Sequence, residues 1–220
     1  MPDMIDLDGP SFGPASGAAA RQLVILLHGW GADGNDLIGL APQMARVLPD
    51  AEFLSPHAPE PCEANPAGRQ WFALHNQDPR LMLEGAVAVA PSIDAYIDSA
   101  LAARGLGDEN LALVGFSQGT MMALYLGPRR ARACAAIVGF SGRLVGGETL
   151  AAETRSRPPI LLVHGESDPV VPVAALPAAV EGLTAAGLTV EWHRRPRVEH
   201  SIDEFGLVAG AEFIATAFGV

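Results

Sequence analysis

Six short apolar runs recur along the chain, Leu23–Leu27, Ala51–Leu54, Leu111–Val114, Ala133–Val138, Ile160–Val163 and Leu188–Trp192, with helical patterns between most of them. Continuous apolar runs, rather than alternating ones, suit strands buried on both faces, and their alternation with helices is the pattern of a mostly parallel sheet. The helical patterns lie near Asn35–Val47, Leu81–Arg104, Gln118–Leu126, Val173–Ala186 and Ile202–Phe218. The expected fold is α/β, with helices on both faces of the sheet and a single domain over residues 1–220, a length one core can serve. Gly9–Ala20 reads as an extended lead-in with one short edge strand. Two segments are irregular: the Pro- and Asn-rich stretch Pro56–Pro79, long enough to suggest a functional loop, and Ser141–Pro159. The second is too short to hold an inserted cap domain, so a site beneath it is expected to be open.

One junction carries chemistry. The run Leu111–Val114 enters Gly115-Phe116-Ser117-Gln118-Gly119, and a helix-favouring stretch leaves it. A serine on a sharp strand-to-helix turn is crowded on both sides, so small residues two places before and after it let the chain turn and lift the hydroxyl clear. With 24 glycines in the chain, such a pentapeptide arises readily by chance, and an ordinary turn with a spare serine is the alternative. The flanks and the partners decide between them.

A serine nucleophile needs a base, and the base needs an orienting carboxylate. In a parallel sheet both are expected on turns at the carboxyl ends of later strands. Asp168 lies in His164-Gly165-Glu166-Ser167-Asp168-Pro169 after the fifth run, and His200 follows the last run. The order serine, acid, histidine fits this topology. Glu166 is the rival acid; Asp168 is preferred because Pro169 holds it in an extended turn. Among the other histidines, His28 and His164 end strands before glycine and read as turn supports. His57 and His75 sit in the long loop, and His193 falls in or at the end of a strand. The oxyanion hole calls for the amide of the residue after the nucleophile, Gln118, and one from the Gly-rich segment Leu27–Gly34. That second amide is assigned to Trp30, with Gly31 as the rival. The same segment lacks the Gly-Lys-Ser/Thr of a nucleotide-binding loop.

Taken in order, Leu26–Gly34, Ser55-Pro56-His57-Ala58-Pro59, Gly68-Arg69-Gln70-Trp71-Phe72, Gly115–Gly119, His164–Pro172 and His200-Ser201-Ile202 resemble the carboxylesterase/phospholipase family that includes the acyl-protein thioesterases. The likeness covers nearly the whole chain. It implies the α/β-hydrolase fold, a Ser117–Asp168–His200 triad and an oxyanion hole of the Trp30 and Gln118 amides. Trp30 stands where the family commonly has leucine, and Arg197-Val198-Glu199 precede His200 where glycines are frequent.

The expected reaction is a two-step acyl transfer from short-to-medium esters, or from thioesters, with no metal or other cofactor. Its activity is expected to rise with pH as the imidazole base loses its proton. Trp71, Phe72, Leu74, Met82, Val170 and Val171 are candidate substrate-binding walls, or equally core packing beneath the long loop. A non-catalytic binding module would be expected to lack a triad member, and a peptidase of this fold would need a cap or extra domain.

The formal charge of −11 argues against nucleic acid and anionic membranes as partners. All 14 basic residues are arginine, and the clusters at 129–132 and 194–197 read as solvated faces or helix-end charges. Cys134 is expected to be buried and Cys62 to be open to solvent, with neither at metal-site spacing. Asp3, Asp6 and Asp8 stand where a signal peptide carries basic residues, which leads to the expectation of a cytoplasmic protein without stable membrane insertion. The family resemblance allows for a homodimer.

Overall fold

The computed structural model describes residues 5–74 and 77–220. His75 lies outside them. Seven strands form one sheet in the order β1 (Ser11–Phe12), β3 (Ala51–Leu54), β2 (Gln22–Leu27), β6 (Leu111–Phe116), β7 (Ala136–Phe140), β8 (Ile160–Gly165), β9 (Val190–Arg195). Every neighbouring pair is parallel except β1 with β3, so the expected short edge strand is present and antiparallel. The parallel register brings the carboxyl ends of β2, β6, β7, β8 and β9 to one edge of the sheet.

The inner strands divide their side chains between two cores. Leu23, Ile25 and Leu27 of β2 join Leu111, Leu113, Ile137, Ile160 and Leu162 on one face; Val24 and Leu26 join Ala112, Val114, Val138, Phe140 and Val163 on the other. The first face is covered by α3 (Pro79–Arg104), α4 (Gln118–Leu126), α5 (Gly147–Glu153) and α6 (Ala175–Ala185). The second is covered by α1 (Gly34–Leu37), α2 (Ala41–Met44) and α7 (Glu204–Phe218). α3 is long and apolar enough to cross a bilayer, yet Met82, Ala86, Val89, Ile93 and Ile97 are buried against the sheet, as in a core helix.

The differences from the sequence reading have local causes. The helix expected over Asn35–Val47 is split into α1, a 3₁₀ turn (Ile38–Leu40) and α2. Pro42 has no N–H to continue the ladder, and Gly39 weakens it. β7 begins at Ala136 rather than Ala133, where pairing with Ala112 starts. The long loop contains a two-stranded hairpin, β4 (Glu60–Pro61) and β5 (Arg69–Gln70), that the sequence did not signal.

Arg130 is not a solvated charge. It is buried among Asp94, Asp98 and Asp108, bonded at 2.7 Å to Asp98 and to Asp108. Burial alone disfavours its charge, and the carboxylates around it outweigh that and raise its pKa. Cys62 is buried, contrary to expectation: it sits inside the β4–β5 hairpin, its amide donating to Gly68 O, with its Sγ against the Gly-rich loop, where a Cβ on Gly31 would lie 3.8 Å away. Cys134 is buried too, and burial pushes its thiol up to about 12.

Candidate active site

Ser117 sits between β6 and α4 with φ 53° and ψ −113°, a region that L-residues rarely enter. Its amide donates to Phe140 O of β7 at 2.9 Å, and the flanking glycines make the conformation possible. A Cβ at Gly119 would stand 1.7 Å from Leu27 O, and one at Gly115 would stand 2.4 Å from Gly119 C. Strand β2, strand β6 and helix α4 therefore meet at backbone contact around the serine.

The turn after β8 supplies the carboxylate. Asp168 Oδ1 accepts from the amides of Val170 and Val171, each at 2.8 Å, and Oδ2 accepts from His200 Nδ1 at 2.7 Å. Burial by itself raises this carboxyl; the bonds from His200, Val171 and Val170 outweigh it and hold Asp168 below the ordinary carboxylate range. Because a carboxylate only accepts, Nδ1 carries the proton and Nε2 is left as the imidazole's basic nitrogen. The loop after β9 reaches the site by lying directly on Gly165, where a Cβ would be 2.3 Å from Val198 O. The His200 ring packs at 4.8 Å on Phe116, the residue before the serine. No hydrogen bond joins Ser117 to His200; catalytic hydrogen bonds of this kind often tighten only in the complex with substrate.

The rivals fall elsewhere. Glu166 is exposed. His164 Nε2 donates to Val171 O at 2.8 Å, beneath Asp168. His28 Nε2 accepts from the Ala58 amide at 3.0 Å while Nδ1 donates to Gly29 O at 2.8 Å, and burial lowers its pKa, so it is a neutral strut. His57, in the long loop, accepts from the Gly34 amide at 3.2 Å. His193 lies within β9 and packs edge-on against Phe205.

The Gly-rich loop after β2 lies beside the serine: a Cβ on Gly29 would be 3.4 Å from Ser117 Cβ. The Gly31 amide is spent on Arg69 O at 2.9 Å, whereas the Trp30 amide has no partner among the described residues. The Gln118 amide opens α4, where no carbonyl precedes it in the helix ladder. Two free N–H groups thus flank the serine. The β4–β5 hairpin braces this loop: Trp30 Nε1 donates to Gln70 Oε1 at 2.9 Å and Asn65 Nδ2 to Gly31 O at 2.9 Å. The Gln118 side chain extends the brace, donating to Phe72 O at 2.7 Å and accepting from the Trp71 amide at 3.0 Å.

Of the six candidate walls, only Met82 lines the cavity of about 650 Å³ beside the site. Trp71 is 1% exposed, with its indole N–H on His28 O, and Phe72 is 3% exposed and packed on Gly85 of α3. Both are core, buried by α3 closing over the loop. Leu74 packs at the core margin, Val170 is exposed, and Val171 is buried with its amide on Asp168. The other walls include Arg143, Leu144, Val145, Pro172, Ala175 and Ala179, none of which the sequence marks as a substrate wall. Their one sequence signal is position, just past the carboxyl ends of β7 and β8.

With this geometry, the match of residues 14–218 to the phospholipase/carboxylesterase family model decides the relationship. The chain belongs to the phospholipase/carboxylesterase family. Esterase YpfH of Escherichia coli K12 is 32% identical over 185 residues, spanning 84% of this chain and 78% of YpfH. Acyl-protein thioesterase 1 of Gibberella zeae is 28% identical over 199 residues, spanning 81% and 83%. The crystal structure of esterase PE8 superposes with a TM-score of 0.92 at 41% identity, covering 97% of this chain and all of that one. This phospholipase/carboxylesterase family member is therefore a hydrolase of α/β-hydrolase fold, with small-molecule esters as its substrate class.

Proposed function

We propose that the protein hydrolyses short-to-medium acyl esters through an acyl-enzyme on Ser117. The observation that carries this reading is the 2.7 Å bond from His200 Nδ1 to a buried Asp168, at the sheet edge where Ser117 holds its strained turn. His200 Nε2 takes the Ser117 proton as Oγ attacks the carbonyl carbon. Negative charge on the former carbonyl oxygen forms against the Trp30 and Gln118 amides, each such donor being worth about 3–4 kcal/mol in the transition state. The imidazolium, stabilised by Asp168, then protonates the leaving alcohol, and water repeats the sequence to release the acid. No step calls on a cofactor.

Thioesters of the same acyl groups are the second reading, favoured by the identity to acyl-protein thioesterase 1. The same machinery serves a thiol leaving group. Purified wild type and Ser117→Ala compared on aryl esters and matching thioesters test both readings. Loss of at least about 10³-fold in turnover is expected for Ser117→Ala, and wild-type turnover in that variant would refute the nucleophile assignment.

A further inference from the structure

The loop leaving β7 carries a feature the acyl-transfer machinery does not use. Among the described residues, two buried side-chain polar atoms lack a hydrogen-bond partner, Ser141 Oγ and Arg143 Nε, two residues apart on this loop. Ser141 also has φ 48°, and a Cβ on the intervening Gly142 would lie 3.0 Å from Ser117 O. The loop is thus held in an unusual shape directly beside the nucleophile. Unpartnered buried polar atoms disfavour folding and are retained where they serve something else.

Arg143 lines the cavity of about 650 Å³, whose other walls include the apolar side chains of Met82, Leu144, Val145 and Pro172. Pro172 follows Val171, which binds Asp168, so the cavity runs between the loop leaving β7 and the acid turn. The guanidinium gives one bond, from Nη2 to Gln77 Oε1 at 2.9 Å, and has no carboxylate partner among the described residues. Arg129 and Arg130, by contrast, are both paired with carboxylates. Glu148 is the other charged wall; it is exposed and forms no ion pair with Arg143, and it sits in the first turn of α5, where a helix accommodates negative charge. The cavity therefore offers an apolar length and one cation without a carboxylate partner among the described residues.

We propose that Arg143 makes this cavity a subsite for acyl chains that bear a second, ionised carboxyl group, so that half-esters of dicarboxylic acids are preferred substrates. The chain's methylenes lie on the apolar walls, and its carboxylate accepts from the terminal guanidinium N–H groups of Arg143 that Gln77 does not take. Hydrolysis consumes one water and releases the alcohol, a dicarboxylate and a proton. With a formal charge of −11, the molecule as a whole repels such a substrate, so Arg143 is the local source of attraction.

The proposal rests on Ser117 chemistry, and its test separates the two. Aryl half-esters of unbranched diacids are compared with aryl esters of monoacids of the same lengths, and with chains ending in phosphonate. The readout is the ratio of kcat/KM, charged over neutral, in wild type, Arg143→Met and Arg143→Lys. A carboxylate preference of about tenfold or more is expected for wild type at its best length, carried by KM and weakened by salt. It should be lost in Arg143→Met and partly kept in Arg143→Lys. Inhibition of wild type by free diacids against monoacids gives the same comparison without a variant. A ratio unchanged by Arg143→Met, or equal inhibition by diacid and monoacid, overturns the subsite, and a phosphonate preference overturns its carboxylate assignment. Turnover that survives Ser117→Ala on every ester instead overturns the acyl-enzyme reading.

Discussion

Removing the Gln118 side chain tests whether the loop proposed to carry the oxyanion hole is braced as described. Gln118→Ala leaves the residue's own amide in place but strips the partners from the Trp71 N–H and the Phe72 carbonyl, both under α3 in the core. Each orphaned buried group costs about 1–3 kcal/mol, and the truncated side chain leaves a void. Some relaxation of the 70–74 segment offsets this, so a loss of about 2–4 kcal/mol in unfolding free energy is expected. Gln118→Met, which fills the void without restoring the bonds, should recover only part of it. Because Trp30 hangs on Gln70, one residue before Trp71, the same slackening lets the Trp30 amide drift. The fall in kcat should be smaller than the about 10²–10³-fold caused by losing an oxyanion donor outright, nearer tenfold. Urea denaturation monitored by tryptophan fluorescence gives the first quantity, and aryl-ester turnover in denaturant-free buffer gives the second. A Gln118→Ala unfolding curve superimposable on wild type, with unchanged kcat, would refute the bracing argument.

Gly119→Ala should fail to accumulate as folded protein, because the added Cβ falls 1.7 Å from a strand carbonyl that cannot move without unpairing β2 and β6; soluble yield and circular dichroism read this directly. Asp168→Asn should lower kcat by about 10⁴-fold, since an amide no longer holds the imidazole with its proton on Nδ1. The depressed Asp168 pKa also stabilises the fold above the ordinary aspartate pKa, and that contribution is lost as pH falls through the folded-state value; acid-titration curves of Asp168→Asn should therefore be flatter at the low end than wild type. Arg130→Met leaves Asp94, Asp98 and Asp108 crowded without their cation and should destabilise the fold by about 3–5 kcal/mol or less, with KM unchanged.

The sheet, and the groups proposed for acyl transfer, were legible because both are governed by local rules. Apolar runs of strand length marked β2, β6, β7 and β8, and the glycines around Ser117 are there because backbone meets backbone. The position of Asp168 and His200 follows from where parallel strands end. What stayed hidden depends on contacts distant in sequence. The β4–β5 strands are two residues each, with Glu-Pro against Arg-Gln, and have no periodicity to read. Trp71 and Phe72 looked like pocket walls because aromatic residues in a polar loop usually face something; here they face α3, which closes over the loop from residue 79 onward. Arg143 was invisible because nothing in a single sequence tells an unpaired guanidinium from a paired one such as Arg130.

The two buried sulfhydryls turn the fold into its own reporter. Cys62 lies within the hairpin that braces the proposed oxyanion loop, and Cys134 lies at the entry to β7 in the larger core. Neither is accessible while its surroundings stay closed, so alkylation of each measures how often that part of the molecule opens. If Cys62 reacts well before Cys134, the loop that carries the Trp30 amide breathes independently of the sheet. Exchange of acyl chains is then timed by the hairpin, and serine-directed and thiol-directed reagents would compete for the same open state.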